Sequence, residues 1–271
     1  MIVPTYQSAG VIEPCLRSIR AQTHPKVELV VVDNGSQDAT KEIAGRYADQ
    51  VLDKGPERCA QRNFGVEKAR GEIVVIIDSD MILTPGVVGA CVDVLSSEPH
   101  VEAVVIPEES FGEGFWSRCK ALERSFYVGV DWMEGARAFR RDTYLAMGGY
   151  DEAFVGGEDY DLPQRIEERF GARAIARVAP VIRHDEQRLS LTKTCKKKFY
   201  YAQNLDKYRE KPANQGRFAR QASPLRRYEL FLSQPNRLLE DPVTSAGMLV
   251  LKTCEFAAGA LGYAYGRARS R

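Results

Sequence analysis

The 271-residue sequence predicts an α/β fold: a parallel sheet flanked by helices, followed by a helical C-terminal extension. Three observations lead there. Short apolar runs alternate with helix-length amphipathic stretches through residues 1–110. Two of those runs, Val30-Val31-Val32 and Ile73 to Ile77, are continuous rather than alternating, as strands covered on both faces require. Acidic turn residues then follow these runs directly, as Asp33-Asn34-Gly35 and Asp78-Ser79-Asp80. The carboxyl ends of parallel strands are where ligands sit in such sheets.

Taken in order, strands are expected at Ile2–Val3, Val27–Val32, Val51–Leu52, Ile73–Ile77 and Val101–Ile106, with helices near 11–21, 37–48, 57–69 and 85–97. Beyond 110 an amphipathic segment at 111–128 precedes a strand at Ala136–Arg141. Glu158–Phe170 reads as a helix and Ala174–Ile182 as a strand. Residues 183–227 then carry thirteen Lys or Arg against four Asp or Glu, a local net of +9 in a chain whose net is only +1. That shift sets a boundary near 190, dividing a domain at 1–190 from a basic, Pro-punctuated helical region at 191–271.

Composition bounds the function. With 28% charged and 44% hydrophobic residues and a mean hydropathy of −0.33, the chain is neither disordered, collagenous nor a polytopic membrane protein. A net charge of +1 gives no global attraction to nucleic acid, and none is expected as partner. Six widely spaced cysteines without a Cys-x-x-Cys pair read as reduced thiols. No signal peptide is encoded, so a cytoplasmic protein is expected. The stretch from Val243 to Tyr265 is interrupted by Lys252 and Glu255 and is not a membrane span.

Asp78-Ser79-Asp80 is the first chemical constellation. In extended backbone its two carboxylates share a side, where they hold one hard cation or divide between a ribose and a cation. Buried carboxylates at a strand end need a metal or hydrogen-bond donors to offset their desolvation, although an Asp-x-Asp is also ordinary turn chemistry. Glu158-Asp159 at a helix start is the second: acids there suit the helix dipole, and a carboxylate beside Gly156-Gly157 can also serve as a general base. His184, ahead of Asp185-Glu186, is a third metal ligand, a phosphate contact or a structural histidine. Asp33, ahead of Asn34, can accept from a base N–H and Pro4-Thr5-Tyr6 can offer an aromatic face, or either is ordinary turn chemistry. Arg62 either reaches a phosphate or is a surface arginine.

In order along residues 1–190, Val3-Pro4-Thr5-Tyr6, Glu28 to Thr40, Arg62-Asn63-Phe64-Gly65, Asp78-Ser79-Asp80, Phe139-Arg140-Arg141, Gly148 to Glu152 and Gly157 to Leu162 together resemble the family 2 glycosyltransferases. That resemblance implies the GT-A, Rossmann-like nucleotide-sugar-binding fold, a mixed sheet flanked by helices, and inverting transfer of one sugar to a glycan or polyprenol-linked acceptor. By it, Thr5, Tyr6 and Asp33 hold base and ribose with Asp78 and Arg62 nearby, Asp80 coordinates Mn²⁺ or Mg²⁺, and Asp159, rather than Glu158, is the base. The first strand is short for the family, and the Gln-x-x-Arg-Trp motif of its processive members is absent, which favours single addition. Two other readings compete. A sugar-phosphate nucleotidyltransferase needs a Gly-rich, Arg-bearing loop after the first strand, which Pro4 to Ala9 lacks. A nucleotide-sugar-binding protein without turnover would not need both acidic pairs.

For the C-terminal region, Lys193, Lys196, Lys197 and Lys198 followed by Phe199, Tyr200 and Tyr201 suggest attachment to the inner membrane face. The 243–265 helix would lie in the interface with Met248, Leu249, Leu251, Phe256 and Leu261 inserted. Its rival is a helix that closes the core of the sheet domain or a homodimer interface, and the basic run reads equally as a solvated helical face or a grip on the donor diphosphate.

Overall fold

The computed structural model describes residues 1–154, 156–203, 209 and 215–269, so part of the basic 183–227 stretch, Lys207 and Lys211 included, lies outside the described residues. The chain forms two compact units: Met1–Glu108, Gly135–Glu152 and Glu158–His184 make the first, and Glu109–Glu134, Ala153–Gly157 and Asp185–Arg271 the second. Whereas the charge shift divides the sequence near 190, these units also group 109–134 and 153–157 with the C-terminal segment.

In the first unit β1 (Ile2–Thr5), β2 (Val30–Asp33) and β3 (Gln50–Asp53) pair in parallel, with Val3 opposite Val31 and Thr5 opposite Asp33. A parallel bridge from Ile2 to Ile76 connects β1 to the segment following β4 (Ile73–Val75). β4 and β6 (Ala103–Val105) both run antiparallel to β8 (Ala136–Arg140), and β6 is parallel to β9 (Ile175–Arg177). The sheet is therefore mixed, as expected.

Alternation of side chains explains the continuous apolar runs. Val3 and Val31 pack with Ile12, Leu16 and Ile19 of α1 (Ile12–Arg20), and with Val87, Cys91 and Leu95 of α4 (Val87–Ser97). Ile2, Val30 and Val32 face the other way, onto Cys59 and Val66 of α3 (Arg58–Lys68) and Leu162 and Ile166 of α7 (Glu158–Phe170). Each fully buried Val, Leu or Ile contributes about 1.5–3 kcal/mol, so both faces of the sheet are strongly specified. The short α2 (Thr40–Gly45) follows β2 where a longer 37–48 helix is expected.

Three strands were not foreseen. β5 (Met81–Leu83) pairs antiparallel with β10 (Ile182–Asp185), and β7 (Glu108–Phe111) ends where the amphipathic segment at 111–128 begins, ahead of α5 (Phe115–Ser125). The run at 174–182 is broken into β9 and β10 because Pro180 between them has no N–H to donate to a ladder. After β8 the chain turns into a short helix, α6 (Arg141–Ala146).

The second unit is helical around a core of Cys119, Phe126, Tyr127, Phe231, Met248 and Leu251. Here α8 (Leu191–Ala202), α9 (Gln215–Ala222), α10 (Pro224–Leu232) and α11 (Pro235–Glu240) lead to the long α12 (Pro242–Arg269). The α8 segment and α12 pack backbone to backbone, since a Cβ on Gly262 or Gly266 would stand 2.2 Å from the carbonyl oxygen of Phe199 or Gln203.

The interfacial expectation for α12 is overturned at its centre. Met248 and Leu251 are fully buried in this core, and Lys252 and Glu255 are only 6% and 3% exposed. The two charges that interrupt the apolar run point inward, where Lys120 and Lys252 each bond both Glu123 and Glu255. Of the five residues expected to insert, Leu261 is well exposed. Among the described residues no helix is long and apolar enough to cross a membrane, and all six cysteines are free thiols.

Candidate active site

The parallel strands deliver their polar ends to one edge. Thr5 at the end of β1 donates its hydroxyl to Asp33 Oδ1 at 2.9 Å, and Ser36 donates its hydroxyl to the same oxygen at 2.6 Å. The Ser36 N–H donates to Asp33 Oδ2 at 2.7 Å, so this fully buried carboxylate ties the β1 and β2 termini into one cradle. Pro4 is buried, the Asn34 N–H donates to the Thr5 carbonyl at 2.9 Å, and Tyr6 stands 60% exposed with its ring available to a flat ligand. Gln61, to which the sequence reading gives no role, donates from one amide nitrogen to the carbonyls of both Thr5 and Val32.

Asp78, Ser79 and Asp80 do not form the extended pair expected of them. The Met81 N–H donates to the Asp78 carbonyl, which closes a turn and sends the two carboxylates apart. Asp78 turns to arginines: Arg62 Nη2 at 2.5 Å and Arg137 Nη1 at 3.7 Å. Its burial would raise its pKa, but the charges of Arg62, Arg137 and Arg58 more than offset this and hold it far below the usual carboxylate range. Asp80 instead faces His184, whose Nε2 lies 3.4 Å from Oδ2. On the other edge of that ring Glu108 Oε2 is 3.6 Å from Nδ1. Ser79 Oγ donates to Ser8 Oγ at 3.0 Å, joining this turn to the loop after β1.

Arg62 is not at the surface and does not face solvent, where a phosphate would lie. Its side chain is 0% exposed, and its guanidinium bonds Asp159 Oδ1 at 2.9 Å and Glu158 Oε1 at 3.3 Å as well as Asp78. The ring of Tyr150 lies beneath it at 5.2 Å. Arg58 adds a second cation on Glu158 at 2.7 Å. Glu158 and Asp159 thus differ in kind: the first is 1% exposed, the second 32%. Burial and then the neighbouring Asp159 charge push the Glu158 carboxyl above its usual range, against the pull of Arg58 and Arg62. The Asp159 Oδ2 atom carries no hydrogen bond among the described residues.

Asn63 links two of the sequence motifs. Its side chain accepts from the Tyr150 N–H and the Tyr144 hydroxyl and donates to the Tyr150 carbonyl, so α3 pins the Gly148-Gly149-Tyr150 loop. Arg165 on α7 holds the same loop through the carbonyls of Met147 and Gly149.

Ion pairs therefore run from Glu158 through Arg62, Asp78 and Arg137 to Glu108, and polar contacts of 3.4–3.6 Å continue from Glu108 through His184 to Asp80. Sequence reasoning missed Arg58, Glu108 and Arg137. Glu108 carries the signal already used for Asp78, an acid immediately after an apolar run. Arg137 stands among the apolar Ala136, Ala138 and Phe139, where a buried cation calls for carboxylate partners.

The family model described as glycosyl transferase family 2 matches residues 1–178. The chain belongs to that family, and its fold is GT-A. Like the matched region, the residues of this network lie in or close to 1–178, His184 falling just beyond. The chain is 28% identical over 191 residues to the glucosyl-dolichyl phosphate glucuronosyltransferase of Haloferax volcanii, covering 59% of each protein. It is 26% identical over 196 residues to the uncharacterized protein y4gI of Sinorhizobium fredii, covering 67% of this chain and 22% of that one. The chain thus spans less than two thirds of either relative. Among solved structures, the mannosyltransferase PcManGT from Pyrobaculum calidifontis, in complex with GDP-Man and Mn²⁺, superposes with a TM-score of 0.62 at 20% identity, over 97% of this chain and 86% of that one.

A divalent cation fits the residues present. Asp80 and His184 offer a hard oxygen and an imidazole nitrogen 3.4 Å apart, and Glu108 Oε2 stands 3.6 Å from the other ring nitrogen, on the side where a ligating histidine usually hydrogen-bonds a carboxylate. Among the described residues no three His, Cys, Asp or Glu side chains gather in a metal-holding group. A cation held by this pair would need its remaining ligands from substrate phosphate and water, as Mg²⁺ commonly does.

Proposed function

We propose that this chain is an inverting, metal-dependent glycosyltransferase that moves one sugar from a nucleoside-diphosphate sugar to a hydroxyl of a glycan or lipid-linked acceptor. The observation that carries the reading is the single charged network with the cation-fitting pair Asp80 and His184 at one end and the partly exposed Asp159 at the other. Family membership supports the reaction class. The Pyrobaculum relative, solved with GDP-Man and Mn²⁺, supports the donor and cation classes.

The chemistry assigns the residues. Tyr6 stacks on the base of the donor, while Pro4, Thr5, Asp33 and Asn34 shape the edge on which base and ribose rest. Asp78, kept ionised by Arg62 and Arg137, accepts from the ribose hydroxyls, and Ser79 steadies the turn between the two acids. A Mn²⁺ or Mg²⁺ ion held by Asp80 and His184 would stabilise negative charge developing on the departing diphosphate. The bond from the anomeric carbon to the diphosphate oxygen breaks as the acceptor oxygen bonds from the opposite face. The acceptor proton passes to Asp159, whose second oxygen is open to it. Glu158, sealed behind Arg58 and Arg62, does not meet the acceptor.

The basic region at 191–271 is assigned to the acceptor. Lys193, Lys196 and Lys197 are exposed on α8 and suit a phosphate-bearing or lipid-linked acceptor at the cytoplasmic membrane face. The test is release of nucleoside diphosphate from a panel of nucleotide sugars with Mn²⁺, Mg²⁺ or excess EDTA, supplied with soluble glycans or polyprenyl-phosphate acceptors. Acceptor-dependent release that EDTA abolishes is expected. Donor binding without release from any member of the panel would leave a binding protein instead.

A further inference from the structure

We propose that Arg62 is a positioning residue that fixes the spacing between Asp78 on the donor side and the base Asp159, rather than a ligand of the donor phosphate. This rests on the function proposed above, which gives those two carboxylates their roles.

The geometry carries it. One planar guanidinium sends Nη2 to Asp78 at 2.5 Å and Nη1 to Asp159 at 2.9 Å. Because the fork is rigid, the two carboxylates, one in the turn after β4 and one in the first turn of α7, stand at a separation set by a single chemical group. The group cannot drift: it is fully buried, Tyr150 packs under it at 5.2 Å, and Asn63 fixes the Tyr150 backbone from both sides.

The partners are also unequal. Asp78 keeps Arg137 at 3.7 Å and Glu158 keeps Arg58 at 2.7 Å, whereas among the described residues Arg62 is the one cation within 4.0 Å of Asp159. Loss of the fork therefore leaves the donor carboxylate with a partner and the base without one. Glycosyl transfer needs the base within hydrogen-bond reach of a hydroxyl aligned with the anomeric carbon, and a misplacement of about 1 Å costs about 10²-fold in rate.

Arg62→Lys, which keeps the charge and removes the fork, and Arg62→Gln should each lower kcat by about 10–100-fold while the Kd for UDP with Mn²⁺ changes less than about threefold. In a double-mutant cycle, Arg62→Lys placed on Asp159→Asn should cost less than about threefold further, because the group it acts through has gone. A merely structural residue would give the same loss in both backgrounds. That result overturns the proposal, as does wild-type turnover in Arg62→Lys. Should neither variant fold, arginine-selective ¹⁵N spectra of the wild type and of Asp159→Ala decide: the buried Nη resonances must move, and unmoved resonances overturn the link. A wild type that turns over no donor sinks the function and leaves this spectral arm standing.

Discussion

Lys252 lies 2.5 Å from Glu123 inside the second unit, and neither side chain is more than 7% exposed. With Lys120 and Glu255 they form a buried square of alternating charge joining α5 to α12, while Tyr127 donates to Glu123 and accepts from Arg227. Removing Lys252 leaves Lys120 alone to balance two buried carboxylates, one negative charge short of a partner. Lys252→Met should therefore destabilise the protein by about 3–5 kcal/mol, the cost of an uncompensated buried charge. Chemical denaturation measures it; a loss below 1 kcal/mol would mean that the square is hydrated in solution.

The same square predicts the acid limb of stability. Burial alone would raise the Glu255 carboxyl, but Lys120, Lys198 and Lys252 hold it down to about 2, and Lys120 and Lys252 likewise hold Glu123 well below its usual value. A depressed carboxylate contributes stability that is complete above its unfolded pKa of about 4.5 and is lost as pH falls through the folded value. The contribution of this square to the unfolding free energy should accordingly be constant above about pH 5 and fall by several kcal/mol between pH 4.5 and 2, with Glu255→Gln flattening part of that slope. An unaltered slope in that variant would assign the acid limb to other groups.

How legible this was depends on the range of the interaction. The parallel half of the sheet could be read because Val30-Val31-Val32 is a local pattern, and residue types at strand ends marked Asp33 and Asp78 as chemical. β5 and β10 escaped because their pairing joins Met81 to His184, far apart along the chain, and strands of three and four residues carry no period of their own. Arg62 reads as surface or phosphate-binding because an arginine on a helix normally is, and only the tertiary structure brings Asp78 and Asp159 to it. Lys252 and Glu255 misled in the opposite sense, since sequence alone does not reveal the second pair, Lys120 and Glu123, that lets them turn inward.

The cation site makes a prediction independent of turnover. Asp80→Ala and His184→Ala should each weaken Mn²⁺ binding in the presence of UDP, seen by electron paramagnetic resonance or calorimetry, with Asp80→Ala the more severe because it removes the charged ligand. Glu108→Gln should cost about 10-fold in the same measurement through the far edge of the His184 ring. Full Mn²⁺ affinity in His184→Ala would remove that histidine from the site.

The acidic pair at the start of α7 should separate into a chemical and a supporting residue. Asp159→Asn preserves size and should leave UDP affinity intact while kcat falls by at least about 10³-fold. Glu158→Gln strips Arg58 and Arg62 of a buried partner, so its main effect should be a lowered Tm with a smaller fall in kcat. Kinetics and melting curves on both variants test this. If Glu158→Gln is inactive at full stability and Asp159→Asn is active, the base is Glu158.

Neighbouring glycines provide the sharpest test of the loop that carries Tyr150. Gly148 and Gly149 both adopt left-handed backbone, with φ of +76° and +64°. A Cβ on Gly148 meets nothing within 4 Å, whereas one on Gly149 would stand 2.4 Å from Asn63 Oδ1 and 2.9 Å from the Tyr144 ring. Gly148→Ala should thus pay only for its backbone, about 1–2 kcal/mol. Gly149→Ala must also displace Asn63 from Tyr150 and Tyr144, at about 1 kcal/mol for each hydrogen bond lost. The second variant should be less stable than the first by about 2 kcal/mol. It should also lose turnover beyond that difference, because Tyr150 underlies the guanidinium that spaces Asp78 from Asp159. Equal stabilities would show that Asn63 yields freely and that the loop is held by Arg165 instead.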